Sequence, residues 1–71
     1  MMNLSYDPNV DAVYIKLSDG KYKKSRKISE AVLVDEDSSG KILGIEILSA
    51  TKNIKSFKPK EVKLTIQNPS H

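Results

Sequence analysis

Residues 42–48 read Ile-Leu-Gly-Ile-Glu-Ile-Leu, the most apolar stretch of a 71-residue chain. Side chains on a strand alternate between faces, so Leu43, Ile45 and Ile47 fall on one side and Ile42, Gly44, Glu46 and Leu48 on the other. An antiparallel sheet with one wet face carries apolar residues on one side only. A strand that is apolar at most positions on both sides therefore reads as central and covered twice. No helical period in the sequence is long enough to supply the second cover. The pattern predicts a sheet packed against a second copy of the chain, as a sandwich or shared barrel, with Ile42 and Leu48 on the self-association face. Each further Ile or Leu buried there is worth about 1.5–3 kcal/mol, against the roughly 3–5 kcal/mol that so small a core supplies alone.

Working outward, period two persists along most of the chain. Met2, Leu4 and Tyr6 alternate with polar residues as a first strand, and Asp7-Pro8-Asn9 is turn chemistry. Val13, Ile15 and Leu17 form a second alternating run, followed by Asp19-Gly20, a pair that signals a hairpin. Residues 22–28 are lysine-rich and weakly apolar, and Ala31-Val32-Leu33-Val34 is a short strand. Residues 35–40 form a polar loop ahead of the 42–48 run. Residues 49–59 are ambiguous, with a helical turn over Ala50 to Ile54 as one reading. Val62, Leu64 and Ile66 alternate once more. The expected fold is mainly β: an antiparallel meander of five to six short strands with at most one short helical turn, in a single domain over residues 1–66, with a flexible tail at 67–71.

Composition closes off several chemistries. The chain has no cysteine and one histidine, His71, at its end. Disulfides, thiolate catalysis, Cys/His zinc sites and Ser-His-Asp triads are thereby excluded. No segment approaches the roughly 20 apolar residues of a membrane span. The opening Met-Met-Asn-Leu-Ser-Tyr-Asp has neither the basic nor the apolar part of a signal peptide. The expected location is cytoplasmic, with no membrane partner. A net charge of +3 and a pI near 9.2 permit an acidic partner without requiring one.

Three groups of residues invite a functional reading. Asp35, Asp37, Ser39, Gly40 and Glu46 fall at positions one, three, five, six and twelve of the calcium-loop pattern. That pattern works between two helices, whereas both flanks here are strand-like. At roughly 3.3 Å per residue, Glu46 would lie too far along its strand to fold back as a ligand. The reading adopted is a polar hairpin loop, and whether Asp35 and Asp37 bind a cation weakly stays open. Asp7 and Asp11 bracket the first turn. Paired carboxylates can do acid/base work if burial raises one pKa, but beside Pro8 in an exposed turn they read as turn and capping residues. Lys21, Tyr22, Lys23, Lys24, Arg26 and Lys27 form the densest basic stretch. Cations interleaved with an aromatic suit a nucleic-acid surface. Alternation divides these charges between two faces, however, and lysine-rich edges also keep sheets from pairing with strangers. Lys52, Lys55, Lys58, Lys60 and Lys63 read as solvation.

In combination, Tyr6-Asp7-Pro8, Asp11-Ala12-Val13-Tyr14-Ile15, Leu17-Ser18, Val32-Leu33-Val34-Asp35 and Gly40-Lys41-Ile42-Leu43-Gly44-Ile45-Glu46-Ile47-Leu48 resemble the small prokaryotic proteins of domain of unknown function family 2283. The resemblance runs from residue 4 to about 52. It departs at Glu30-Ala31, where the family usually places an acidic residue and glycine. It implies a bacterial or archaeal β-rich protein. Similar proteins encoded beside small toxin-like proteins imply an antitoxin or partner-binding role. It supplies no catalytic residues.

The expectation is a non-catalytic, self-associating protein-interaction module, with the antitoxin-like role that the resemblance implies, that forms a homodimer and binds a small protein encoded nearby. The alternative is nucleic-acid binding through the Lys21–Lys27 basic cluster, on the surface of Lys21, Tyr22, Lys23, Lys24, Arg26 and Lys27. No enzyme activity, cofactor or metal is expected.

Overall fold

The computed structural model describes residues 1–68, so His71 and most of the tail expected at 67–71 lie outside the described residues. Five strands, β1 (Asn3–Asp7), β2 (Ala12–Lys16), β3 (Lys24–Lys27), β4 (Val32–Glu36) and β5 (Ile42–Ile47), precede one helical turn, α1 (Ala50–Asn53). They form a single antiparallel sheet in the order β1-β2-β5-β4-β3. The sheet is thus a β1-β2 hairpin joined to a β3-β4-β5 meander, and β5, the most apolar strand, is central as its pattern predicts. Among the described residues no helix is long and apolar enough to cross a membrane.

The Asp19-Gly20 signal does not make a hairpin. β2 pairs with β1 and β5, and the chain after it crosses the ends of β5 and β4 to start the far edge strand. The Leu17 and Ser18 N–H groups donate to the Leu43 carbonyl at 2.9 and 3.2 Å, and the Lys23 N–H donates to the Glu36 carbonyl at 2.8 Å. The reason lies in the strands. The run after Gly20 is cationic and exposed, whereas β5 offers Ile45 and Ile47 to Ile15 and Val13 across the ladder, so β5 takes the place beside β2.

Register separates the faces cleanly. One row, Leu4–Ile15–Ile45–Val34–Arg26, crosses all five strands, with Tyr6–Val13–Ile47–Val32 beside it. The opposite face carries Ser5–Tyr14–Glu46–Leu33–Lys27 and Asn3–Lys16–Gly44–Asp35–Ser25. One face is apolar and the other largely polar.

The doubled apolarity of residues 42–48 has a local cause. Asp35 pairs with Gly44 but Glu36 pairs with Ile42, which leaves Leu43 as the extra residue of a β-bulge. A bulge shifts the alternation by one. Ile42 therefore joins Ile45 and Ile47 on the apolar face, and Leu43 turns to the polar face, where it is buried beneath the crossover at Gly20. Ile42 and Leu48 consequently lie on opposite faces: the Leu48 N–H bonds the Ala31 carbonyl and continues the Gly44–Glu46 side. The expected joint self-association face of Ile42 and Leu48 is corrected by this bulge.

The chain also supplies covers of its own. Residues 54–62 pass over the β1-β2 end of the apolar face, and Phe57 packs edge-on against Tyr6 with ring centroids 4.8 Å apart. Ala12, Val13, Val34, Leu43 and Ala50 make up the buried apolar core among the described residues. Residues 61–68 add no sixth strand. They are exposed and join no ladder among the described residues; the Glu61 N–H bonds back to the Lys58 carbonyl at 2.9 Å.

Candidate interaction surfaces

Turn and loop acids come first, because their placement decides between architecture and chemistry. The Asp7 carboxylate accepts the Asn9 N–H at 2.9 Å, a side-chain-closed turn. Asp11 sits at φ 54°, a region that Asp tolerates better than most residues. From there it reaches the helical turn. Its carboxylate accepts the Thr51 hydroxyl at 2.7 Å, the Thr51 N–H at 3.1 Å and the Tyr6 hydroxyl at 2.8 Å, while its carbonyl accepts the Ala50 N–H at 2.8 Å. Ser49 makes no side-chain cap, so Asp11 satisfies the first N–H groups of α1 from another part of the chain. These bonds hold the Asp11 carboxyl below its ordinary pKa, the Thr51 hydroxyl foremost and the Tyr6 hydroxyl next. Asp7 and Asp11 are thus structural, as their sequence context predicts, and the capped helix is distant in sequence.

The calcium-like spacing resolves the same way. Asp37 lies in the β4-β5 loop and folds its carboxylate over that loop, accepting the N–H groups of Ser39 and Lys41 and the Ser39 hydroxyl at 2.8–2.9 Å. The Lys41 N–H is the main reason its pKa falls, followed by the Ser39 hydroxyl. Gly40 at φ 84° closes the loop. Asp35 and Glu46 lie on separate strands, and no three acidic or histidine side chains gather as a metal site among the described residues.

Asp35 instead anchors a chain of hydroxyls on the polar face that the sequence did not reveal. The Tyr14 hydroxyl donates to one carboxylate oxygen at 3.1 Å and the Ser25 hydroxyl to the other at 2.7 Å. Tyr22 continues the chain through a 2.8 Å contact with Ser25. The chain ties β2, β4 and the edge strand β3 together, beside a hollow of about 350 Å³ that also touches Lys16, Ser18 and Asp19. Burial first, and the Asp35 bond second, push the Tyr14 phenol above its ordinary pKa, away from neutral proton transfer. Cross-strand neighbours on one face, Lys16–Gly44–Asp35–Ser25, were the only available signal, and it needs the register to be read.

Within the basic stretch, every residue of β3 is exposed. Register places Lys24 and Arg26 with the apolar face and Ser25 and Lys27 with the polar one, as alternation predicts. Arg26 is already engaged: its Nε and Nη2 donate to one oxygen of Glu36 at 3.0 and 2.7 Å. The Glu36 side chain is only 8% exposed, so the guanidinium is what compensates a buried charge. Lys27 pairs with Glu30 at 3.3 Å. Tyr22 is exposed, and Lys21 and Lys23 flank it on the crossover.

The apolar face is the other surface. Beneath residues 54–62 lies a hollow of about 610 Å³, lined by Leu4, Tyr6, Val13, Ile15, Ile47, Ile54, Phe57 and Val62 among others. Ile28 and Ile42 are exposed at the far end of the same face, and Leu4 at the near end.

A five-stranded antiparallel sheet with one apolar face, a polar face tied by the Tyr14–Asp35–Ser25 bonds and, among the described residues, two unpaired edges defines a small β-sheet scaffold. The chain belongs to the family described as Protein of unknown function (DUF2283), whose match spans residues 3–50. That span holds all five strands and ends at Ala50, where α1 begins, ahead of the residues 54–62 that cover the apolar face. Neither a curated protein nor a solved structure matches the chain.

Proposed function

We propose that the protein is a non-catalytic interaction module that acts by burying its own apolar surface against protein, first a second copy of itself and then a small partner encoded nearby, as an antitoxin does. One observation carries this reading. Apolar side chains that a compact core would bury stand in water: Leu4, Ile28 and Ile42 on the sheet, and Val62, Leu64 and Ile66 beyond it. A protein interface of standard size takes roughly 800 Å² from each partner, and burying side chains of this kind is what stabilises one.

The chemistry of the polar groups supports the same reading. The carboxylates described above accept structural hydrogen bonds, and the Tyr6 and Tyr14 phenols are held protonated. Nothing described there activates a nucleophile near neutral pH. Co-expression with the product of the adjacent small open reading frame is the test. A stable complex, and relief of any growth arrest that product causes, are the expected results; separate elution of the two proteins would overturn the partner reading.

Nucleic-acid binding through Lys21 to Lys27 is the second reading, favoured by the exposure of every residue of β3. The engagement of Arg26 by Glu36 and the division of charges between faces weigh against it. Phosphate binding requires an affinity that falls steeply with salt, so a gel shift without salt dependence would end it.

A further inference from the structure

The stretch Val62-Lys63-Leu64-Thr65-Ile66 has the alternation of a strand, yet none of its backbone groups pairs with another described residue. Leu64 and Ile66 are 77% and 87% exposed. Apolar alternation left in water beside a sheet with open edges is half of a pairing. Resting on the interaction-module reading, we infer that Val62–Ile66 is a donor strand that adds to the free edge of β1 in a second copy of the chain, reciprocally, so that the dimer is held by two exchanged strands.

The choice of edge follows from charge. The sheet ends in β1 and β3. β3 reads Lys-Ser-Arg-Lys and would set like charges against Lys63, which is destabilising between facing strands. β1 reads Asn-Leu-Ser-Tyr-Asp; it has no cation and carries Asp7 on the polar face. Length agrees as well: five residues face five, roughly 17 Å of strand on each side.

The choice of face follows from register. Leu4 and Tyr6 of β1 point to the apolar face. A strand added with Val62, Leu64 and Ile66 opposite even-numbered residues sends those side chains to the rim of the hollow under residues 54–62. Lys63 then falls on the side of Asp7. Main-chain bonds at an edge with alternate side chains entering an apolar recess is the general geometry of strand addition. A two-fold axis is satisfied because each copy offers both the strand and the edge.

The absence of cysteine makes a direct test available. The full chain carrying Leu4→Cys and Leu64→Cys is oxidised under mild conditions and run without reductant. A covalent species of twice the 7.9 kDa protomer mass is expected; a cross-link within one chain, or none, overturns the inference. Sedimentation of the unmodified chain against Thr65→Pro gives a second arm. Proline removes a strand donor from a segment that pairs with nothing in the protomer, so the fold remains and the dimer dissociation constant is expected to rise at least tenfold. Equal self-association of the two chains, or a monomer at every concentration, overturns it too. Loss of the donor strand with the neighbour-encoded partner still captured would leave the interaction-module reading standing; loss of both would remove that reading as well.

Discussion

Tyr14 occupies the space that a side chain at Gly44 would need. A Cβ on Gly44 would meet the Tyr14 hydroxyl, and would lie 2.6 Å from its Cζ and 2.9 Å from the Ile15 carbonyl oxygen. The two residues sit on adjacent strands of the same face, offset along the ladder, since Gly44 pairs with Lys16 and Tyr14 with Glu46. The missing side chain lets the phenol cross β5 to reach Asp35 on β4.

Gly44→Ala is therefore expected to destabilise the fold by about 1–3 kcal/mol, the usual cost of overpacking, read as a lower urea midpoint with an unchanged slope. Part of that cost belongs to the tyrosine. Tyr14→Ala combined with Gly44→Ala should cost less than the sum of the single changes, because residues in contact do not add. Strict additivity would show that the ring is not what excludes a Cβ.

The pair Arg26–Glu36 makes a different prediction. Glu36 is buried on the apolar face, and Arg26 supplies both of its charged hydrogen bonds. Arg26→Ala leaves a buried carboxylate without its partner and should cost about 1–3 kcal/mol. Lys27→Ala removes an ion pair whose Glu30 side chain is almost wholly exposed, and pairs of that kind contribute little. If thermal melts put the two variants level, Glu36 does not depend on Arg26. The result also bears on nucleic acid, since a guanidinium committed to Glu36 is withdrawn from phosphate.

Gly40 tests backbone conformation alone. It lies at φ 84° with nothing within 4 Å of where a Cβ would stand. Gly40→Ala should cost on the order of 1–2 kcal/mol, the penalty of placing a Cβ in the left-handed region. Gly40→Asn should cost less, because Asn visits that region more readily. Chemical denaturation of both variants separates the outcomes, and equal losses would point to a steric cause instead of a conformational one.

How much of this was legible in the sequence depends on the range of the interaction involved. Each of β1, β2, β4 and β5 matches an alternating or apolar run, because a half-buried strand writes period two into its residues. Asp37-Ser38-Ser39-Gly40 announced its loop through contacts that span four residues. Strand order was not legible. Asp19-Gly20 has hairpin chemistry, yet the choice of neighbour for β2 was settled by the apolar side chains of a strand some 25 residues away. The bulge at Leu43 was hidden too, since it is a property of the pairing with Asp35 and Glu36 and leaves no local mark. That single residue exchanged the faces of Ile42 and Leu43, and with them the argument for a strand needing two external covers. The Tyr14–Asp35–Ser25 bonds escaped notice for the same reason: they become neighbours only once three strands are in register.

Asp11 provides the pH dependence. Its folded pKa is lowered by the Thr51 hydroxyl and then by Tyr6, whereas in the unfolded chain it titrates near the ordinary value of about 3.9. A depressed folded pKa contributes stability that is complete above that ordinary value and is lost as pH falls through the lower, folded one. Asp11→Asn should therefore lower the urea midpoint at pH 7, and its deficit against the parent chain should shrink steadily below about pH 4. Asp19 and Asp37, whose pKa values are also lowered, keep an acid limb in the variant, so the comparison rests on the difference between the two chains. A deficit that stays constant from pH 7 to pH 3 would mean that the carboxylate charge is irrelevant, and that Asp11 holds α1 through its carbonyl bond to Ala50 alone.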